Sequence, residues 1–315
     1  MNLQKATTKY SVVIPVFNSS GIVAETIDRT VAFFEKQAWD YELILVNDAS
    51  SDGSWQVLRN KALANPQIIA INLLRNYGQH IAVFCGFQKS TGDYVITLDD
   101  DLQNPPEEII HLIEKAKQGH DAVFGRFHTK RHTGYRRLGS ILIGAVNKRI
   151  FYKPKNLVLT NFRIIRRDVV NRICSYRTNY PYITGLTLIF SSNRANVWVE
   201  HKKRPKGRSN YTFFTIAKLV MLILFNYSAY PLHLVSMGGL VITAISLILG
   251  LAYLSRALFF GTTVPGWATV VVLLSFFNGV IIFILSMLGE YTARLLKQVS
   301  STDTYHINEV IQRNV

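Results

Sequence analysis

Continuous apolar runs alternate with amphipathic stretches through the first 125 residues of the chain. Four runs have the length and β-branched content of strands: YSVVIPVF (10–17), YELILVND (41–48), QIIAINLL (67–74) and YVITLDD (94–100). Helical spacing of apolar positions fills the intervals, at about 21–36, 54–64 and 79–90. Runs that are apolar at every position are typical of parallel strands covered on both faces. This order predicts a doubly wound α/β sheet whose ligands bind at the carboxyl ends of the strands.

Two longer apolar segments lie towards the C-terminus. Residues 234–254 and 268–288 are each 21 residues long and contain no charged side chain. A helix needs about 20 apolar residues to cross a bilayer core, so both segments are predicted to span a membrane. No signal peptide is recognised before them, because the apolar run near the N-terminus has the pattern of a strand. We therefore expect the first 230 or so residues to stay in the cytoplasm.

The segment 211–230 is apolar but carries Lys218 near its middle. A lysine at the centre of a span costs about 2.5–3.5 kcal/mol, which favours one or two amphipathic helices in the membrane interface over a third span. The predicted organisation is a cytoplasmic domain, juxtamembrane amphipathic helices, a two-helix transmembrane hairpin and a cytoplasmic tail, at residues 1–210, 211–232, 233–290 and 291–315.

The net charge of +15 is concentrated in the middle of the chain. Residues 126–208 contain 20 Lys and Arg against 2 acidic residues, whereas residues 1–125 contain 10 against 15. A basic block beside a membrane segment more often meets anionic lipid head groups, and nucleic-acid binding would require exposed aromatic residues among the basic ones. The loop 255–267 carries only Arg256, so the positive-inside rule places it outside and both termini in the cytoplasm.

Three consecutive aspartates, Asp99, Asp100 and Asp101, end the fourth apolar run. Alternation along a strand would point Asp99 and Asp101 to one side and Asp100 to the other. Two carboxylates on one side suit a hard cation, Mg²⁺ or Mn²⁺, that keeps coordination places for phosphate oxygens, and Gln103 would add a neutral oxygen. The alternative is a solvated acidic turn. Because the acids end a hydrophobic strand at the binding edge, we favour the metal and diphosphate site.

Polar or conformationally special residues also follow the other strands. They are Pro15, Phe17 and Asn18 after the first strand, with Glu25 on the next helix, Asp48 after the second, and Arg75 with Gly78 after the third. A carboxylate there can accept hydrogen bonds from a ribose or a base, and a cation beside a glycine suits a diphosphate. Each signal is weak alone, but four successive strand ends together indicate a nucleotide site.

These motifs resemble family 2 glycosyltransferases, and within that family the polyprenyl-phosphate glycosyltransferases. The resemblance rests on NYGQH (76–80), TGDYVITLDDDLQNPPEEI (91–109), RPKGRSNY (204–211) and LGEYTARL (288–295). It implies a GT-A (Rossmann-like) fold. It also implies inverting, metal-dependent transfer of a sugar from a nucleotide diphosphate sugar, a glucose-like UDP-sugar as the first candidate, to polyprenyl (undecaprenyl) phosphate. That reaction would take place at the cytoplasmic face of the inner membrane and serve cell-envelope glycan or lipid modification.

The resemblance and the strand-end positions together give three sets of candidate residues. The nucleotide sugar would be bound by Pro15, Phe17, Asn18, Glu25, Asp48, Arg75 and Asp100. Mg²⁺ or Mn²⁺ would be held by Asp99, Asp101 and Gln103. The catalytic set would be Asp99, Asp101, Asn161 and Arg163.

A basic loop before the amphipathic segment is the candidate site for the lipid phosphate. Its residues are Arg204, Lys206, Arg208, Ser209 and Tyr211. Arginine binds phosphate in a bidentate manner, and Gly207 would let the loop close over a ligand. The alternative is that these residues only form the positively charged flank of a membrane segment.

Asn161 departs from the family pattern. Many relatives carry an acidic residue, assigned as the catalytic base, directly before the FR pair, whereas this chain has Asn161 there. The chain could be a pseudoenzyme, another group could be the base, or no strong base is needed. We favour the last interpretation, because a lipid monophosphate with a second pKa of about 6 is already mostly a dianion at neutral pH. Asn161 then need only orient it.

Two other function classes compete with this one. A processive polysaccharide synthase would carry a QxxRW-type motif after residue 160 and enough spans to enclose a polymer, and the sequence has neither. A non-catalytic, membrane-anchored partner of a lipid flippase is supported only by Asn161. Small residues in the predicted spans would allow close helix packing, and a homotetramer is expected from the resemblance. No nucleic-acid partner is expected.

Overall fold

The first structural feature is one sheet built from eight strands. The strands are β1 (Lys9–Val16), β2 (Asp40–Asn47), β3 (Ile68–Leu73), β4 (Tyr94–Thr97), β5 (Ala122–Phe127), β6 (Arg163–Arg166), β7 (Arg194–Val199) and β8 (Ile307–Gln312). In the computed structural model they are arranged in the order β7-β5-β6-β4-β1-β2-β3-β8. Strands β4, β1, β2 and β3 are mutually parallel, whereas β6 and β8 run antiparallel to their neighbours. The α/β class predicted from the apolar runs is therefore confirmed.

The helices connect these strands and continue beyond them. They are α1 (Val23–Gln37), α2 (Ser54–Ala64), α3 (Gln79–Lys89), α4 (Ile109–Ala116), α5 (143–150), α6 (Arg167–Ser175), α7 (Ile183–Phe190), α8 (Phe213–Tyr227), α9 (Tyr230–Phe260) and α10 (Trp267–Ser300). A single 3₁₀ turn, Pro106–Glu108, precedes α4.

The structure describes residues 8–127, 143–178, 180–202, 213–228, 230–260, 266–300 and 304–313. The chain divides into two compact units, one formed by residues 1–220 with 303–315 and the other by residues 221–302.

Burial on both faces explains why the strand sequences are continuously apolar. Seven of the eight residues in β1 and in β2 are buried. On one face Ile14 and Leu45 pack in a core cluster with Phe34 of α1. Val13 and Ile44, which point to the other face, have no exposed surface either. Covering both faces is the expected environment of parallel strands, and it fixes the carboxyl ends of these strands at one edge.

Gly86 brings α3 close to the sheet. A Cβ atom at this position would lie 2.3 Å from Cγ1 of Val13 in β1, a distance that no real contact allows. Glycine is therefore required for the close approach of helix to strand. This packing holds the N-terminus of α3, which begins at Gln79, beside the carboxyl ends of the central strands.

The fourth strand is shorter than the sequence analysis predicted. β4 ends at Thr97, not at residue 100, and the three aspartates lie in the turn that follows. The same turn contains Leu102 with a positive φ of 56°, so it does not continue the extended backbone. The predicted strand end at residue 100 is therefore wrong, and strand alternation does not set the directions of Asp99, Asp100 and Asp101.

The C-terminal residues are more than the tail that the sequence analysis expected at 291–315. Helix α10 extends to Ser300, and β8 then adds an edge strand to the sheet beside β3. The backbone nitrogen of Leu74 donates to the carbonyl of His306, and the backbone nitrogen of His306 donates to the hydroxyl of Tyr77 at 3.2 Å. The end of the chain thereby contacts the loop that follows β3.

The two long C-terminal helices contain the predicted spans. Within the described residues, the segment Phe276–Ala293 of α10 is long and apolar enough to cross a membrane, by length and composition. It overlaps the predicted span at 268–288. The predicted span at 234–254 lies within α9, and its insertion in a membrane stays a prediction.

A buried carboxylate stabilises the opposite, amino-terminal edge of the sheet. Glu42 is 6% exposed and accepts hydrogen bonds from the hydroxyl of Ser11 at 2.6 Å and the hydroxyl of Thr91 at 2.9 Å, with Lys9 Nζ 3.0 Å away. Burial disfavours its charged form, but the hydrogen bonds from Ser11, Thr91 and Lys9 outweigh that effect. The pKa of Glu42 therefore lies below its ordinary value of 4.5.

We predict that Glu42→Gln lowers the free energy of unfolding by about 1–3 kcal/mol at neutral pH, because a buried amide cannot accept every bond that the carboxylate accepts. A lowered pKa gives stability that is present above the unfolded-state value and lost as pH falls through the folded-state value. The difference from wild type should thus be constant from about pH 7 to pH 5 and shrink below about pH 4.5. Thermal unfolding of the purified full chain measures it, with the exposed Glu114→Gln as control. A difference that grows on acidification would contradict the assignment.

Candidate active site

The carboxyl ends of β1, β2, β3 and β4 lie side by side and carry four loops. Register shows this directly, since Val16 at the end of β1 pairs with Asn47 at the end of β2. Asn47 in turn pairs with Asn72 near the end of β3. The sequence analysis placed its nucleotide and metal residues on these loops, and the structure brings the loops together at one edge of the sheet.

The loops after β1 and β2 are joined by hydrogen bonds. Asn18, at a φ of 52°, accepts a hydrogen bond through Oδ1 from the backbone nitrogen of Ser51 at 2.9 Å, and its own backbone nitrogen donates to the hydroxyl of Ser50 at 3.0 Å. The backbone nitrogen of Ser20 donates to Asp52 at 3.0 Å. Asn18, predicted to contact the nucleotide, thus also links the two loops.

Asp48 organises the loop after β3. It is 3% exposed, and its two carboxylate oxygens accept hydrogen bonds from the backbone nitrogens of Tyr77 at 2.7 Å and Gly78 at 2.8 Å. Burial raises the pKa of Asp48, although the two backbone bonds act in the opposite direction. Gly78 has a φ of 94°, which suits glycine. In the same loop the exposed Arg75 has its guanidinium 5.0 Å from the ring centre of Tyr77.

Asp100 connects the acid turn, defined as residues 98–105, to the loop after β1. Its Oδ2 accepts hydrogen bonds from the hydroxyl of Ser19 at 2.5 Å and the backbone nitrogen of Phe17 at 3.3 Å. Its backbone carbonyl accepts from the hydroxyl of Thr26 at 3.0 Å. Asp100 therefore has a scaffolding role that the sequence analysis, which assigned it to the nucleotide sugar, did not identify.

Asp101 and Gln103 lie deeper in the acid turn. Asp101 is 8% exposed, and its Oδ1 accepts a hydrogen bond from the backbone nitrogen of Gln103 at 3.1 Å. The backbone carbonyl of Gln103 accepts from the backbone nitrogen of Lys202 at 2.8 Å. The chain that leads from β7 towards residue 204 therefore begins beside the acid turn.

The environment of Asp99 disfavours its charged form. Burial, then the neighbouring charges of Asp101 and Asp100, raise its pKa to about 7, while Arg163 and a hydrogen bond from Gln79 oppose the rise. That hydrogen bond joins Gln79 Nε2 to Asp99 Oδ1 at 2.7 Å. A carboxyl group that resists ionisation at neutral pH indicates that the turn holds more negative charge than its surroundings compensate.

Arg163 is the buried cation next to these acids. It is 1% exposed, and its Nη1 donates to the hydroxyl of Thr184 at 3.0 Å. Burial lowers its pKa to about 10, so it remains charged at neutral pH, and Asp99 and Tyr182 are its electrostatic neighbours. Asn161 lies close by along the chain, where its backbone carbonyl accepts a hydrogen bond from the hydroxyl of Thr97 at the end of β4.

The remaining nucleotide candidates lie in different environments. Pro15 is buried within β1 and pairs with Val46, whereas Phe17 is 43% exposed at the strand end. Glu25 lies on the exposed side of α1, and its carboxylate is 3.8 Å from the guanidinium of Arg29. The backbone of Phe17 contacts the acid turn through Asp100, whereas Glu25 is paired with Arg29 on α1.

Several contacting residues escaped the sequence analysis. Ser19, Gln79, Asn147, Tyr182 and Thr184 all lie in or beside the site. Gln79 carried a signal, because it begins the helix after the third strand and belongs to the NYGQH motif. Tyr182 and Thr184 carried none, since only the fold brings α7 next to the end of β4.

The predicted lipid-phosphate residues are Arg204, Lys206, Arg208, Ser209 and Tyr211, and all five lie outside the described residues. Their role stays a prediction. Within the described residues, no group of three or more His, Cys, Asp and Glu side chains is arranged to hold a metal ion.

Comparison with known proteins shows which protein family the chain resembles. Residues 11–174 match the family model "Glycosyl transferase family 2". The undecaprenyl-phosphate 4-deoxy-4-formamido-L-arabinose transferase of Proteus mirabilis (strain HI4320) is 33% identical over 314 residues, covering 99% of this chain and 96% of the relative. The protein of the same name from Photorhabdus laumondii is 34% identical, covering 97% of this chain and 95% of that protein.

The chain belongs to glycosyl transferase family 2. The predicted resemblance to its polyprenyl-phosphate glycosyltransferases is confirmed, and the chain is a glycosyltransferase. The fold agrees, since glucosyl-3-phosphoglycerate synthase from Mycobacterium tuberculosis, solved with Mn²⁺, UDP-glucose and phosphoglyceric acid, superposes with a TM-score of 0.51. That likeness covers 70% of this chain and 80% of the other at 15% identity.

We predict that Asp99→Asn raises the thermal unfolding midpoint of the cation-free protein, because it removes one of three crowded charges. A carboxyl whose pKa rises on folding from 3.8 to about 7 destabilises the folded state increasingly over that pH interval. The gain should therefore be larger at about pH 8 than at about pH 5. Each kcal/mol relieved corresponds to about 2–4 °C in a domain of this size.

Thermal scans in EDTA measure this effect, with the exposed Asp40→Asn as the matched control. A lower midpoint for Asp99→Asn, with the control unchanged, would show that the carboxylate stabilises the turn by itself.

Proposed function

We propose that the chain transfers a sugar from a UDP-sugar to undecaprenyl phosphate at the cytoplasmic face of a bacterial inner membrane. The observation that carries this proposal is the acid turn. It lies against the loops after β1 and β3, where Asp100 contacts Ser19 and Asp99 contacts Gln79. The carboxylates of Asp99 and Asp101 suit a cation that also contacts a diphosphate, and the relatives named above are undecaprenyl-phosphate sugar transferases.

The donor sugar is the finer part of the proposal. The sequence alone suggested a glucose-like sugar. The names of the relatives favour 4-deoxy-4-formamido-L-arabinose, at about one third identity over nearly the whole chain. We therefore place the formamido sugar first among the donors to be tested and keep UDP-glucose as the comparison.

The acid turn fits a divalent cation of the hard, oxygen-binding type. Asp99 and Asp101 would supply carboxylate oxygens, and burial together with the acidic neighbours disfavours the charged form of Asp99. Mg²⁺ and Mn²⁺ commonly bind one or two carboxylates and complete their coordination with substrate phosphates and water. Asp99, Asp101 and Gln103 would hold the ion. When bound, it would neutralise negative charge on the departing diphosphate.

The reaction itself is a single displacement at the anomeric carbon. A phosphate oxygen of the acceptor forms the new bond as the bond from carbon to the UDP oxygen breaks, and UDP leaves with the electron pair. Attack from the opposite face inverts the configuration. A phosphate monoester with a second pKa of about 6 needs no base at neutral pH, so Asn161 is compatible with turnover. Asn161 and the buried Arg163 would orient the reacting groups.

The proposed membrane arrangement rests on the two apolar segments in the second unit. Residues 234–254 and 268–288 would cross the bilayer as a hairpin, with residues 211–232 as amphipathic helices at the interface. This arrangement holds the domain of residues 1–210 at the cytoplasmic surface, where a lipid phosphate can reach it. The basic loop 204–211 would bind that phosphate. A homotetramer and coupling to a flippase are further expectations of this arrangement.

Labelled nucleotide sugars separate this proposal from its alternatives. Membranes containing the full chain are incubated with undecaprenyl phosphate and, in separate reactions, labelled UDP-4-deoxy-4-formamido-L-arabinose, UDP-glucose and UDP-N-acetylglucosamine. We expect label in the lipid fraction only when sugar donor and lipid phosphate are both present. Polymeric product would support a processive synthase, and no lipid product with any donor would contradict the proposal.

We predict that Asp101→Ala lowers transfer by at least about 100-fold, because it removes a carboxylate that would stabilise the metal and diphosphate. Transfer to lipid and the amount of protein in the membrane fraction are measured together. The matched control is the exposed Asp40→Ala, which should leave transfer unchanged. Retained transfer by a correctly inserted Asp101→Ala protein would refute the role of the acid turn.

A further inference from the structure

A buried polar cluster adjoins the acid turn on its β6 side. We call it the α5–α7 cluster, and it consists of His80, Asn147, Arg163, Tyr182 and Thr184. These residues come from α3, α5, β6 and the start of α7, so only the fold assembles them. Except for Arg163, none was a candidate from the sequence.

Direct contacts join the cluster residues in two groups. Asn147 Nδ2 donates to the hydroxyl of Tyr182 at 3.2 Å, and the ring of Tyr182 meets the ring of His80 with centres 5.0 Å apart. Arg163 Nη1 donates to the hydroxyl of Thr184 at 3.0 Å. Asn147, Arg163, Tyr182 and Thr184 are exposed by 2%, 1%, 4% and 7%, respectively.

Two polar atoms in this cluster are buried without a hydrogen-bond partner among the described residues. They are Oδ1 of Asn147 and Nε of Arg163. Buried polar groups are nearly always paired in native proteins, and each unpaired one needs a reason. Oδ1 of an asparagine accepts only, and Nε of an arginine donates only. Oδ1 of Asn147 would therefore be satisfied by a ligand donor, and Nε of Arg163 by a ligand acceptor.

The position of the cluster relates it to the donor sugar. Arg163 pairs in the sheet with Thr97, which ends β4 directly before the acid turn, so the cluster adjoins the turn where the diphosphate would bind. The sugar of a nucleotide diphosphate sugar follows directly after the diphosphate. A pyranose extending from the acid turn towards β6 would present its ring substituents to Asn147, Arg163 and Tyr182.

We propose that the α5–α7 cluster selects the donor sugar by binding an amide substituent on its ring. An amide N–H suits Oδ1 of Asn147, its carbonyl suits the guanidinium of Arg163, and the hydroxyl of Tyr182 holds Asn147 in place. A site built to hydrogen-bond a polar substituent rejects an analogue without it strongly, because its own groups are left unpaired. This inference rests on the proposed function, since it assumes that a UDP-sugar binds at the acid turn.

Binding measurements test the cluster independently of lipid transfer. Calorimetry on the purified full chain with Mn²⁺ compares UDP, UDP-L-arabinose and UDP-4-deoxy-4-formamido-L-arabinose, of which the last two differ in the substituent at one ring carbon. The variants are Tyr182→Phe, which keeps the ring against His80, and Asn147→Leu, which removes Oδ1. The control is Tyr41→Phe, which removes a buried hydroxyl at the amino-terminal edge of the sheet.

Wild type should bind the formamido sugar at least about tenfold more tightly than the arabinose sugar. Both cluster variants should reduce that preference about tenfold without changing the affinity for UDP, and Tyr41→Phe should leave all three affinities unchanged. Asn147→Asp, which keeps an acceptor oxygen, should recover part of the preference.

Different results would contradict the proposal for the cluster and the proposal for the transferase activity. An unchanged sugar preference in variants that bind UDP normally would overturn the role of the cluster and leave the transferase proposal intact. Weaker UDP binding in step with weaker sugar binding would show that the cluster only supports the fold. A wild-type protein that binds the formamido sugar with this preference but labels no lipid would instead refute the proposed acceptor.

Discussion

The structure depends on one electrostatic constraint, the crowding of three carboxylates in the turn after β4. Burial, and then the charges of Asp101 and Asp100, raise the pKa of Asp99, so this position disfavours a charged carboxylate. The fold does not relieve the crowding by exposing the acids, since Asp101 is 8% exposed. It surrounds them with fixed hydrogen-bond donors and one buried cation, Arg163. We propose that a divalent cation offsets part of this negative charge and links the turn to a diphosphate.

Several polar residues at the strand ends form hydrogen bonds between the loops of the candidate site. The carboxylate oxygens of Asp48 and Asp100 accept hydrogen bonds from backbone or hydroxyl donors of neighbouring loops. The amide oxygen of Asn18 also accepts such a bond. These bonds hold the loops after β1, β2 and β3 in one arrangement before any ligand arrives. Preorganised sites lose less free energy when a ligand binds, so this scaffolding is part of the site's function. Asp99 and Asp101 accept hydrogen bonds from the side chain of Gln79 and the backbone nitrogen of Gln103, respectively.

The fold was readable from the sequence because parallel strands buried on both faces leave an unmistakable apolar pattern. The acidic cluster could be predicted from the sequence, because three consecutive aspartates directly follow a buried strand. The directions of the three side chains were not readable, since β4 stops at Thr97 and a turn replaces the expected alternation. Strand β8 was missed because an edge strand after a long helix shows only a short alternating pattern. The α5–α7 cluster was missed because its members are spread over four elements.

The most direct test of the central claim is the coupling between Mn²⁺ and UDP on the full chain, measured by calorimetry. If a divalent cation links the acid turn to the diphosphate, the cation and UDP must each strengthen the binding of the other by the same factor. The account predicts that UDP binds at least about tenfold more tightly with Mn²⁺ than in EDTA, and that Asp101→Ala abolishes the difference. Equal UDP affinity with and without the cation would contradict it.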